Sequence, residues 1–71
     1  MMSNIEILSN REKQIAVKIL EGLPNKLIAC DLFISERTVK FHCANIYRKL
    51  DIRNRHALVA KYYRELLRNN D

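Results

Sequence analysis

Ser35-Glu36-Arg37-Thr38-Val39-Lys40-Phe41-His42-Cys43-Ala44-Asn45-Ile46-Tyr47-Arg48-Lys49-Leu50 is the segment on which the reading of the whole chain turns. At roughly 100° per residue in an α-helix, Val39, Cys43, Ile46 and Leu50 fall within an arc of about 60°, a stripe suited to packing on a core. The opposite side carries Arg37, Lys40, Phe41, Ala44 and Arg48. A helix over 36–50 would bury one face and leave the other basic. Ser35 stands where a hydroxyl accepts from the free amides of the first turn, so the helix is expected to start directly after it.

Upstream, Leu27, Ile28 and Leu32 supply the apolar face of a short helix that Pro24 begins or immediately precedes and that ends near Phe33. Two helices within 25–50, joined by a few residues, fit helix-turn-helix geometry, although periodicity alone is equally compatible with other small bundles. Farther back, Ser9 followed three residues later by Glu12 has the form of a capping box, with Leu8 as its hydrophobic staple. A first helix is predicted from there to about Glu21, with Ile15, Ala16, Ile19 and Leu20 as its stripe. Gly22, the single glycine, stands where a left-handed residue would end it. Residues 1–7 are expected to be a flexible arm preceding a domain over 8–68, with the reservation that Ile5, Ile7 and Leu8 have the character to fold back over the helices.

Downstream, residues 51–53 turn the chain and Asn54 caps a fourth helix reaching Arg68. Its apolar residues, Leu58, Val59, Tyr62, Tyr63, Leu66 and Leu67, spread over about 180°, wider than packing on one small core requires. The surplus points to a second apolar partner, most simply another copy of the chain, with Val59, Tyr62, Tyr63, Leu66 and Leu67 as the candidate dimer interface.

Composition sets the outer bounds. Seventy-one residues make one domain near the lower size limit for a self-sufficient core, so partner contacts matter for stability. Thirteen Lys and Arg against eight Asp and Glu give a net charge of +5, which favours a polyanionic partner without naming one. No apolar run is long enough for a membrane span and no signal peptide pattern is present, so a cytoplasmic location and no membrane partner are expected. Cys30 and Cys43 have no paired spacing for zinc, His42 beside Cys43 supplies too few ligands, and no cofactor is expected. His42 reads as a packed histidine bonded to nearby backbone, Cys43 as a small core residue and Cys30 as a more exposed thiol. Ser9, Ser35, His42 and the carboxylates are explained by caps, packing or solvent, with no triad, acid pair or phosphate loop, so the chain is not expected to be an enzyme.

The runs Leu8-Ser9-Asn10-Arg11-Glu12, Gly22-Leu23-Pro24-Asn25-Lys26-Leu27-Ile28-Ala29, Ile34-Ser35-Glu36-Arg37-Thr38-Val39-Lys40-Phe41-His42, Ile46-Tyr47-Arg48-Lys49-Leu50 and Asn54-Arg55 resemble the LuxR/GerE family of helix-turn-helix domains. The likeness covers about 8–67 in order and without insertion. It implies an all-α, four-helix bacterial domain whose third helix enters the major groove of double-stranded DNA, transcription regulation as the activity, and a homodimer formed through the last helix. It also implies that Lys40, Phe41 and Ala44 face bases, while Asn25, Thr38 and Lys49 meet the phosphate backbone. The helical wheel independently groups Lys40, Phe41 and Ala44 on the solvent side, together with Arg37 and Arg48 as further phosphate candidates, but puts Lys49 at the edge of the packed side.

The chain departs from the family pattern at Leu27 and Pro24, often Glu and Ser, at Asp51, often Gly, and at Ala44, often a longer polar residue. Ala44 and Phe41 give the expected reading face a larger apolar share, suited to thymine methyl groups. Phe41 has the alternative of packing on a neighbouring domain. A different class of function stays open beside DNA binding: a small protein-interaction module that heterodimerises with a larger regulator or contacts RNA polymerase. The residues do not decide between an intact regulator and one domain of a longer one.

Overall fold

The computed structural model describes residues 4–68, with side-chain surroundings over 5–65. Among these residues the chain is all helical: α1 (Asn10–Leu20), α2 (Asn25–Leu32), α3 (Glu36–Lys49) and α4 (Arg55–Arg68). Ile15, Ala16, Ile19 and Leu20 of α1 close over Ile28 and Ala29 of α2, Val39, Cys43 and Ile46 of α3, Leu50, and Leu58 and Tyr62 of α4. Helix α1 is the hub, touching each of the other three, and α2 packs on α3 as a helix-turn-helix pair.

Local chemistry accounts for the boundaries. The capping box at α1 is complete: the Ser9 amide donates to Glu12 Oε1 at 2.8 Å, and the Glu12 amide donates to Ser9 Oγ at 3.1 Å. Three helices then end in one way. At Gly22 the amide bonds Ile19 O and the following Leu23 amide reaches back to Lys18 O, the paired bonds of a Schellman cap. Phe33 and Ile34 repeat this on Cys30 and Ala29, and Asp51 and Ile52 on Arg48 and Tyr47. Each end needs a left-handed residue, with φ of 92° at Gly22, 58° at Phe33 and 55° at Asp51. Only the first is a glycine, so the two ends flanking α3 carry the cost of a Cβ in that conformation.

The expected flexible arm is corrected from Asn4 onward. Asn4–Ile7 forms a 3-10 turn, Ile5 is 2% exposed, and the Leu8 amide bonds Ile5 O at 3.0 Å. In a 3-10 turn side chains three apart stack on one side, which brings Ile5 and Leu8 onto the core together and leaves Ile7 in solvent. Residues 1–3 lie outside the described residues.

Candidate nucleic-acid interface

Helix α3 is held by its ends and by one stripe. Ser35 Oγ accepts from the Thr38 amide at 3.0 Å and lies 2.9 Å from Thr38 Oγ1, so a single hydroxyl pair fixes the first turn. Val39, Cys43, Ile46 and Leu50 are buried. Rotating the helix by half a turn brings Arg37, Lys40, Phe41, Ala44 and Arg48 into solvent. Phe41 is 63% exposed, far too open for a core aromatic. Its ring meets His42 edge-on at 5.7 Å. Arg48 donates to Asn45 Oδ1 at 3.0 Å, a bond along the same helix that leaves its charge at the surface.

Lys49 has a different setting. Its ammonium lies 2.8 Å from Glu12 Oε1 in an ion pair between α3 and α1. Burial alone would raise the Glu12 carboxyl; the Lys49 hydrogen bond and charge, with the Ser9 amide and hydroxyl, outweigh it and leave the group below its ordinary range. One of the three donors of the Lys49 ammonium is therefore committed inside the domain, from the edge position that the helical wheel gives this residue. Glu12 continues the stripe of Ile15, Ala16 and Ile19 at helical spacing, so a carboxylate is carried to the buried face and requires a cation.

At the start of α2, Asn25 is half-buried and its Oδ1 accepts from Arg55 Nη1 at 2.8 Å. A second guanidinium nitrogen of Arg55 donates to Leu23 O. This cross-link between α4 and α2 had no counterpart in the sequence reading, because two residues 30 positions apart leave no local pattern.

The dimer expectation for α4 is altered. Tyr62 is 4% exposed and belongs to the chain's own core, together with Leu58, because α4 packs along α1 and consumes part of the wide apolar arc. Val59 is half-buried against the same core, and Tyr63 remains 50% exposed. The side chains of Leu66 and Leu67 lie outside the described residues.

The cysteines differ as expected, Cys30 exposed and Cys43 buried, both free. Burial pushes the Cys43 thiol up, partly offset by the Tyr47 hydroxyl and the Arg55 charge, which leaves it a packing group with little thiolate. Burial likewise raises the Tyr47 hydroxyl, Cys43 adds to the rise, and Arg55 opposes it. The backbone hydrogen bond expected for His42 is not formed: its Nδ1 is buried without a partner among the described residues. Among those residues no three His, Cys, Asp or Glu side chains gather to hold a metal ion, and no helix is long and apolar enough to cross a membrane.

The chain is similar to known regulators over most of its length. The model of the GerE family, bacterial regulatory proteins of the luxR family, matches residues 6–62. A nitrate/nitrite response regulator protein homolog of Haemophilus influenzae is 41% identical over 61 residues, 86% of this chain and 29% of that protein. The transcriptional regulatory protein FixJ of Rhizobium meliloti is 48% identical over 48 residues, 68% of this chain and 24% of the relative. The nitrate/nitrite response regulator protein NarP of Escherichia coli is 47% identical over 49 residues, 69% and 23% respectively. The chain thus spans less than a third of the length of these relatives. With α2 packed on α3 as a helix-turn-helix pair, a basic solvent face on α3 and a family match over well more than half its residues, the chain belongs to the luxR family of bacterial regulatory proteins, DNA-binding regulators of transcription.

Proposed function

We propose that the chain binds duplex DNA sequence-specifically, with α3 lying in the major groove and Lys40, Phe41 and Ala44 turned toward base edges. The observation that carries this reading is the division of α3: Val39, Cys43 and Ile46, with Leu50 at the C-cap, seal one face into the core while Lys40 and Phe41 stand open on the other, flanked by Arg37 and Arg48. Lys40 supplies a donor suited to guanine O6 or N7, and Phe41 and Ala44 supply apolar contact for a thymine methyl. Asn25, Thr38, Arg37 and Arg48 are assigned to phosphates, which set register rather than sequence. Lys49 adds to them only through donors that Glu12 leaves unused.

Binding as a homodimer is part of the proposal. Tyr63 and Val59 support it from the described part of α4, and Leu66 and Leu67 follow on the same helix, whereas the Tyr62 ring is taken up by the chain's own core. Selection of bound duplexes from a random pool tests the reading as a whole. The expected product is two half-sites related by two-fold symmetry, at least one with thymine positions whose replacement by uracil weakens binding. Recovery of no preferred sequence, together with tight association with another regulator or RNA polymerase, would replace this reading with that of a protein-interaction module.

A further inference from the structure

Arg55 is a half-buried basic residue whose placement the groove-reading surface does not explain. It is the first residue of α4, the end of a helix at which the backbone dipole disfavours a positive charge, and no acidic residue shares that turn. Instead of extending to solvent it is half-buried and turned back on the α1–α2 connection, one nitrogen on Asn25 Oδ1 at 2.8 Å and another on Leu23 O.

This contact has a consequence for Asn25. A guanidinium has only donors, so the amide has one admissible orientation: the carbonyl oxygen faces Arg55, and the NH2 group, on the other branch of the same planar centre, faces away. That NH2 group donates to nothing among the described residues, and it sits in the first turn of α2 beside the free backbone amides that Pro24, lacking a side-chain cap, leaves uncovered. We propose that Arg55 is a positioning residue for DNA binding, holding Asn25 with its amide donors outward for a backbone phosphate and fixing the start of α2 through Leu23. The inference rests on the assignment of Asn25 to a phosphate given above.

The test is a double-mutant cycle on a short duplex of random sequence, titrated with salt, with thermal melting of each variant run alongside. Asn25→Ala is expected to weaken binding about tenfold, the scale of one hydrogen bond to a charged oxygen. The slope of log affinity against log salt should stay unchanged, because a neutral amide releases no counterion. Arg55→Gln is expected to weaken binding about fivefold with the same unchanged slope, and by less than about twofold when Asn25 is already Ala. Equal losses in the two backgrounds, or a slope reduced by about one, would mean that Arg55 touches phosphate itself or acts only on stability, and would overturn the inference. Arg55→Lys, which keeps the charge but not the fork, replaces Arg55→Gln if that variant melts below the assay temperature, with the same pattern expected. If Asn25→Ala binds as the unaltered chain does, the phosphate role of Asn25 fails and this inference with it, while groove reading by α3 stands or falls separately on Lys40.

Discussion

The two ends of α3 use the same residue type in opposite ways. Near its start Lys40 is open to solvent beside Phe41, in a turn fixed by the Ser35 and Thr38 hydroxyls. At its end Lys49 folds back to Glu12, a carboxylate carried into the core by the stripe of α1. One lysine stands open to solvent and the other ties two helices of the same molecule together. Net charge does not distinguish them; the burial of the nearest carboxylate does. A basic count on a recognition helix therefore overstates the charge available to DNA unless each residue is assigned its partner.

Substitutions at the two ends should separate these roles. The largest effect is expected at Lys49→Met, which keeps the stem but leaves the Glu12 carboxylate buried without its counter-charge, held only through Ser9, at a cost of about 3 kcal/mol in chemical denaturation. Because the Glu12 carboxyl is held below its ordinary value, its contribution is complete above about pH 4.3 and is lost as pH falls through the lowered value. Lys49→Met should abolish that acid-side loss, and a salt slope for DNA binding reduced by a full unit would instead make Lys49 a true phosphate contact. Ser35→Ala, at the other end, removes the cap on the Thr38 amide and should cost about 1 kcal/mol by thermal melting. The smallest change is a gain: Asp51→Gly relieves a left-handed Cβ and a negative charge at the C-terminus of α3, raising stability by about 0.5 to 1 kcal/mol with DNA affinity unchanged.

The features that could be read in advance are those with a local cause. The Ser9–Glu12 box, the Ser35 cap, the left-handed Gly22 and the stripe of Val39, Cys43, Ile46 and Leu50 each follow from spacings of a few residues, and each stands in the structure. The α3 solvent face, with Lys40, Phe41 and Ala44 together, was legible for the same reason. What escaped was set by tertiary geometry. Glu12 was recognised as a cap but not as the partner of Lys49, 37 residues away. Arg55 was seen as part of a motif but not as the clamp on Asn25. Tyr62 was placed in a dimer interface because a helical wheel shows the width of an apolar arc, not how much of it the chain's own neighbours cover.

The central claim is that the open end of α3 discriminates sequence, and Lys40→Ala addresses it most directly. Affinities for a selected duplex and a random one, measured at one salt concentration, give a specificity ratio for the unaltered chain and for the variant. The account predicts that the variant keeps its fold, loses about 1 to 3 kcal/mol on the selected duplex and loses much less on the random one, so that the ratio collapses. Equal losses on both duplexes would show Lys40 to be a phosphate contact and would contradict the assignment of this face to base reading.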